Sequence, residues 1–318
     1  ALAGWRRLAR SRPPAFEARR PATVLRHGSS PVDCAGGLLM KTLVLANQKG
    51  GVGKSAVATL LAHHLVQHGR RVLAVDLDHQ GNFGSPLQRS NRATVAGLTS
   101  DHLLTEAVSV MPSAAFVLVP SDRGLLMLER QPTMHTPFAR NLRNFLAAMD
   151  AHFDVCVIDT NPNPDIRLIA ALASADFVLS PIQLNQEAME GVHGLLNHDR
   201  VGVRKIKAVL NPKLQLIGLL PTMVEPTPFQ KANFLQIVQR YHPLLIRIGD
   251  GPGDFASIPR RSSIAEAQAH GQVLWEMKKT AAREAAKEIE PTLRELARIV
   301  AGQPQVNAQP GVSHESAA

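Results

Sequence analysis

Aromatic residues are scarce in this chain: 4% of 318 residues, with one tyrosine and two tryptophans. Valine, leucine, isoleucine and alanine must therefore fill any core, and a hydrophobic content of 45% supplies enough of them. Such a core suits a mostly parallel sheet covered by helices on both faces. Cysteine is scarcer still. Cys34 and Cys156 are too few and too far apart for a disulfide framework or a metal knuckle, which points to a reducing cytoplasm. No apolar run reaches the roughly 18 residues that span a bilayer. Acidic residues are nearly missing from positions 1–39, where Glu17 and Asp33 face seven arginines. That segment holds +5 of the formal charge of +9, leaving +4 for the other 279 residues. The excess indicates an anionic partner, although the body is only mildly basic.

Residues 1–39 mix Pro, Arg, Ala and Ser without helical or strand periodicity and read as a disordered basic extension. Either the extension is dispensable, with translation starting at Met40, or it is a basic arm. Prolines at 13, 14 and 21 argue against the amphipathic helix of a transit peptide. Residues 40–302 read as one domain and 303–318 as a frayed tail.

Within 40–302, short apolar runs alternate with helical patterns. Strands are expected at 41–47, 70–78, 115–121, 153–161, 176–183 and 214–222. Helices are expected at 54–68, 138–150 and 185–198, with a last one over 273–300 interrupted by Pro291. This order predicts an α/β fold with a doubly wound, mostly parallel sheet, whose ligands bind beyond the carboxyl ends of the strands.

The string NQKGGVGKSA (47–56) lies between the first strand and the first helix. It departs from the common phosphate-loop spelling G-x-x-x-x-G-K-[ST], because Gln48 stands where the first glycine belongs and Lys49 follows it. The backbone N–H groups of Gly50, Gly51, Val52 and Gly53 can still curl around phosphate oxygens, and a helix N-terminus adds partial positive charge. Lys54 can reach the β- and γ-phosphates, and Ser55 can offer its hydroxyl to Mg²⁺. An ordinary glycine-rich turn is the competing reading. Asp76, Asp78 and Asp159 follow apolar runs and should emerge beside this loop. Any one of them alone could be a turn or capping residue.

The string KGGVGKS resembles the deviant Walker A motif of the ParA/MinD-type ATPases, a P-loop family. VLAVDLDHQGN (72–82) resembles its switch segment, FDVCVIDTNPN (153–163) its Walker B strand, LQLIGLLPTM (214–223) its nucleotide-base strand, and IPRRSSIAEAQAHG (258–271) a late motif. The likeness covers residues 40 to about 300. FDVCVID, RSSIAEA and MKKTAAREAAKE (277–288) resemble the IncC-type plasmid branch. The resemblance implies an ATP- and Mg²⁺-dependent ATPase for plasmid or chromosome partition, slow on its own. ATP would drive a homodimer onto non-specific nucleoid DNA. A ParB-type (KorB-like) centromere-binding partner would stimulate hydrolysis.

The same resemblance assigns roles. Lys49 would reach the partner subunit's phosphates, Asp159 would hold the hydration shell of Mg²⁺ with Ser55, and Asp78 would orient or activate the attacking water. Asp76 would support them, Ala56 would offer a backbone N–H, and Pro221, Met223 and Pro259 would line the adenine. Arg260, Arg261, Lys279, Arg283 and Lys287 are candidates for DNA contact, with a solvated, ion-paired helix face as the alternative. Ser263 stands where chromosomal relatives carry an arginine tied to that role. Three departures bear on hydrolysis more than on binding: His79 replaces the switch proline, Asn161 replaces a proline after Asp159, and Ala56 replaces a threonine.

Other readings of the chain are a corepressor or scaffold with little hydrolysis and a MinD-like positioning ATPase. The latter needs an apolar C-terminal anchor that QPQVNAQPGVSHESAA lacks. An iron–sulfur reductase would need paired cysteines. His63, His64 and His68 have a spacing that could ligate zinc, but surface histidines are the simpler expectation.

Overall fold

The computed structural model describes residues 39–301. The expectations for the basic extension up to residue 38 and for the tail from 302 lie outside the described residues. In chain order the first half comprises β1 (Lys41–Leu45), α1 (Lys54–Gln67), β2 (Val72–Asp76), α2 (Gly84–Arg89), β3 (Thr94–Val95), α3 (His102–Thr105), β4 (Phe116–Val119), α4 (Leu125–Leu128) and α5 (His135–Ala148). The second half comprises β5 (Val155–Asp159), α6 (Ile166–Ser174), β6 (Phe177–Gln183), α7 (Ala188–Asn197), α8 (Val203–Val209), β7 (Gln215–Thr222), α9 (Pro228–Tyr241), α10 (Ser262–His270) and α11 (Thr280–Ala301).

The seven strands among the described residues form one parallel sheet in the order β3-β4-β2-β5-β1-β6-β7. All six expected strands are present, each within two residues of its expected ends. The seventh, β3, is a two-residue edge strand, too short to leave an apolar signature.

The strands are apolar on both faces because helices cover both. Leu43, Leu45, Val72, Ala74, Val155 and Val157 pack toward α1, α10 and α11. Their alternates Val44, Leu73, Val75, Cys156 and Ile158 pack toward α3 to α8. Burying one such side chain is worth about 1.5–3 kcal/mol, and truncating Leu61 of α1, which is fully buried, would cost about 2–5 kcal/mol.

Two expectations need correction. Pro291 does not interrupt the last helix, since α11 runs through it from Thr280 to Ala301. Pro291 is on the exposed face, so the carbonyl it leaves without an N–H partner can turn to water. Nor are His63 and His64 surface residues. They are 6% and 4% exposed, on the side of α1 that meets the sheet and α11. His63 sits edge-on to Phe116 and His64 edge-on to Trp275. Among the described residues no cluster of three His, Cys, Asp or Glu could hold a metal ion.

Desolvation pushes both imidazoles down to about 4 from 6.5, with Arg92 adding to the effect at His63 and His68 at His64. A depressed folded value means the unfolded chain binds the proton first. The stability they contribute is complete above pH 6.5 and is lost as pH falls toward 4. We expect the urea midpoint to drop across that window, and to drop less in a His63→Leu variant. Comparing the two proteins cancels every other titrating group. Equal pH slopes would refute the assignment.

Candidate active site

The strand register builds the site. Parallel pairing sets Asp76 opposite Asp159 across β2 and β5, and Leu45 opposite Asp159 across β1 and β5. Both carboxylates therefore end adjacent strands beside the loop that leaves β1. The loop begins at Asn47, whose side-chain amide donates to Pro181 O at 2.8 Å and whose Oδ1 accepts from Lys49 N at 2.8 Å. Gln48, the residue that breaks the common spelling, donates to Gly194 O on α7 at 3.2 Å. The other side is tied by Thr222 Oγ1, which donates to Val52 O at 2.7 Å, and by Gln183 Nε2, which donates to Gly51 O at 2.9 Å.

Between these anchors Gly51 and Gly53 adopt φ of 72° and 82°, which a side chain would resist. A Cβ built on Gly50 or Gly51 meets nothing within 4 Å, so the concave side of the loop is open. Gly53 caps α1, and Lys54 and Ser55 form its first turn.

Lys54 is 7% exposed and turns inward, its Nζ donating to the carbonyls of Asn47 at 3.3 Å and Lys49 at 3.4 Å. Burial lowers its pKa, and the nearby Asp159 and Asp78 offset that only in part. Ser55 Oγ donates to Asp159 Oδ2 at 2.6 Å. Asp159 Oδ1 is buried without a hydrogen-bond partner. Burial, and then repulsion from Asp76, raise the Asp159 carboxyl well above its usual range. Asp76 is raised chiefly by burial, while its oxygens accept from Asp78 N at 3.0 Å and Gly84 N at 2.7 Å.

Three carboxylates and one ammonium thus converge in low dielectric, with an orphaned oxygen beside a hydroxyl. A hard dication fits Asp159 with Ser55, because Mg²⁺ takes one or two protein oxygens and keeps phosphate and water for the rest. The open, N–H-lined loop fits phosphate.

Lys49, on the same loop, turns outward and pairs with Glu187 at the entry to α7, which lowers the Glu187 pKa through the hydrogen bond. Asp78 is 7% exposed; its Oδ1 accepts from Gln80 N at 3.1 Å and lies 3.4 Å from His79 Nδ1. The strand-end residues expected near a base also gather. Met223 Sδ accepts from Gln183 Nε2 at 2.9 Å, and Met223 approaches Gly53 from a strained φ of 51°. Pro221 O accepts from Ile258 N at 2.9 Å, and Pro259 bridges to Val224.

The five basic residues behave unevenly. Lys279 is not on the last helix: it precedes α11 and pairs with Glu266. Arg261 pairs with Glu288 at 2.6 Å and Arg260 with Glu225 at 3.5 Å. Arg283 and Lys287 are exposed on α11, and no ion pair among the described residues engages them. Of the five candidates, Arg283 and Lys287 are thus the two without an ion pair among the described residues, and Ser263 is buried.

Sequence reasoning missed the anchors Asn47, Gln183 and Thr222. It also missed Asp165 and Arg167, which lie in the stretch just after Asp159. A polar residue at each strand's carboxyl end was the available signal.

Known proteins share this fold and sequence pattern. A family profile described as an AAA domain matches residues 40–216. The chain is similar to Protein IncC of Escherichia coli, 36% identical over 274 residues that cover 82% of this chain and 70% of that protein. It is similar to the chromosome-partitioning ATPase Soj of Thermus thermophilus, 35% identical over 240 residues that cover 74% and 87%. Among solved structures, cobyrinic acid a,c-diamide synthase from Mycobacterium smegmatis, with bound ATP analogue and magnesium, is 25% identical with a TM-score of 0.62. That match covers 84% of this chain and 98% of the other. Its name denotes another chemistry than the sequence relatives', so the shared fold alone carries no reaction.

The buried carboxylates generate a prediction. Asp159's raised folded value means the stability it contributes is present at low pH and lost as pH rises from its unfolded value of 3.8 toward about 8. Asp159→Asn should therefore raise the melting temperature of the ligand-free protein at pH 8, by roughly 2–4 °C per kcal/mol relieved. The gain should shrink toward pH 5, and stabilisation by Mg²⁺ with nucleotide should disappear. Thermal melts at the two pH values check this; a variant that melts lower at pH 8 refutes it.

Proposed function

The chain belongs to the AAA domain family, among its ParA/MinD-type partition ATPases, and from that membership we propose that it hydrolyses ATP to drive plasmid or chromosome partition. The observation that carries this reading is the opposed orientation of two lysines on one loop. Lys54 turns into the cradle, and Lys49 turns out to an exposed carboxylate. An inward lysine serves the chain's own phosphates. An outward one can leave a weak surface pair and reach phosphates held by a second copy of the chain. That exchange makes ATP a bridge between two subunits and couples nucleotide state to dimerisation.

The proposed roles are those that the resemblance assigns, supported by this geometry. N–H groups of residues 50–56 and the Lys54 ammonium bind phosphate oxygens. Lys49 adds positive charge at the transferring group from across the dimer, as an arginine finger does. Ser55 and Asp159 would hold Mg²⁺, which supplies charge neutralisation at the phosphates when bound. Asp78 orients the attacking water from the switch segment. Pro221, Met223 and Pro259 flank the base. Asp76 restrains the switch through the Asp78 and Gly84 amides. A ParB-type partner accelerates the step, and the dimer binds non-specific DNA through a surface that includes Arg283 and Lys287. Among the described residues no helix is long and apolar enough to cross a membrane. A scaffold with little hydrolysis is the second reading, favoured by Ala56, which stands where the family has threonine.

Lys54→Ala should abolish ATP binding in calorimetry. Lys49→Ala should bind ATP but fail to form ATP-dependent dimers in light scattering, and Asp78→Ala should bind and dimerise yet lose turnover by about 10²-fold or more. Wild-type dimerisation by the Lys49 variant would sink the cross-subunit role. Full turnover by the Asp78 variant would remove that residue from the reaction.

DNA affinity offers an independent check. In protein lacking residues 1–39, binding should appear with ATP and not with ADP, and should weaken with a slope of about −0.9 in log K against log salt per phosphate neutralised. Arg283→Ala with Lys287→Ala should flatten that slope, by up to about 2 per subunit. Equal affinity with either nucleotide would refute ATP control of the contact.

A further inference from the structure

A buried guanidinium next to the candidate hydrolytic centre has no part in the functions above. Arg167, in the first turn of α6, is 3% exposed. Its Nε donates to Asp165 Oδ2 at 3.0 Å, and its NH2 group donates to the same oxygen. Asp165 also caps α6 through Arg167 N at 3.0 Å and accepts from Asn161 Nδ2 at 2.9 Å. A buried ion pair of this kind contributes little net stability and fixes geometry instead, because desolvation offsets most of the attraction.

The remaining arm of the guanidinium points at the site. Arg167 NH1 lies 3.3 Å from His79 Nδ1, and the same nitrogen lies 3.4 Å from Asp78 Oδ1. The far ring nitrogen of His79 contacts the Gln80 side chain at 2.8 Å. Nδ1 accepts from the permanently charged guanidinium, so it does not also donate to Asp78; the ring is held by Arg167 and packs against the carboxylate proposed to orient water. At the other end, Asn161 is 1% exposed and its Oδ1 has no hydrogen-bond partner, two residues beyond Asp159. A continuous polar chain thus runs from the end of β5 to the switch segment. It uses the two residues, Asn161 and His79, that replace prolines of the family pattern.

We propose that Arg167, acting through His79, is a positioning residue for hydrolysis: it braces Asp78 against the end of β5 while leaving nucleotide binding to the phosphate loop. The proposal rests on the reading of Asp78 given above. Its physical basis is distance and rigidity. Asp78 sits on a connection whose backbone is otherwise held by Asp76, and its own Oδ1 is engaged by Gln80 N and faced by His79. Removing the imidazole leaves the carboxylate held by Gln80 N alone. Lys54, Ser55 and the loop amides do not touch His79 or Arg167 in any hydrogen bond among the described residues.

Arg167→Ala would strand a buried Asp165 and risks unfolding, so the test begins at His79, which is partly exposed. Phosphate release at saturating MgATP, KM, binding of a fluorescent ATP analogue and melting temperature are measured for the full-length wild type, His79→Ala, His79→Gln, Arg167→Lys and Asp78→Ala. The glutamine carbonyl can accept from Arg167 as the imidazole nitrogen does and keep a side chain against Asp78, whereas alanine does neither. The lysine keeps the charge beside Asp165 but lacks the third arm.

His79→Ala and Arg167→Lys should lose about tenfold or more in kcat, with KM and analogue affinity within about twofold of wild type, and His79→Gln should recover most of the loss. Turnover by His79→Ala within about twofold of wild type, or a loss matched by weaker nucleotide binding, would overturn the brace. If that happens while Asp78→Ala still stalls, the brace alone is wrong. If Asp78→Ala also turns over normally, the role of Asp78 falls and the brace with it.

Discussion

The structure depends on one electrostatic constraint: Asp76, Asp78, Asp159 and Lys54 are buried together at the carboxyl end of a parallel sheet. One ammonium cannot satisfy three carboxylates in low dielectric, and the register that sets Asp76 beside Asp159 aggravates the repulsion. The pKa directions record the result. Both carboxyls are raised and the lysine is lowered, so the ligand-free site resists its own ionisation. A polyphosphate with a dication supplies the missing charges of both signs. The site is therefore poised to gain more from its ligand than a surface cluster of the same residues would.

Holding such a site open needs a rigid surround. Side-chain amides and hydroxyls at three strand ends grip the loop backbone: Asn47 after β1, Gln183 ending β6 and Thr222 ending β7. The loop backbone is thus held by side chains before any anion arrives, which is what preorganisation means for an anion site. The two core layers on either face of the sheet supply the free energy that this arrangement consumes.

The same surround separates the loop from the segment that carries Asp78. The phosphate cradle hangs on β1, β6 and β7. The switch residues hang on β2, and their side-chain brace returns to α6 after β5. Changes in one group need not disturb the other, which is why the proline replacements at His79 and Asn161 can coexist with an intact loop.

Much of this was legible in the linear chain. Six apolar runs alternating with helical patterns were enough for the parallel sheet, because only strands buried on both faces lack a polar alternation. The glycines, Lys54 and Ser55 named the phosphate loop, since few other functions call for that spacing between a strand and a helix. Tertiary structure alone decided the rest. It buried His63 and His64, whose polarity suggested the surface, because α11 covers that side of α1. It let Pro291 stand inside a helix by turning it to solvent, and it paired Arg260, Arg261 and Lys279 while leaving Arg283 and Lys287 exposed. It brought Arg167 to His79 across 88 residues of chain. Local patterns encode which elements form and which loop binds phosphate, because those depend on neighbours in sequence. Burial, charge pairing and long-range contact depend on neighbours in space, and no spacing rule in one chain reports them.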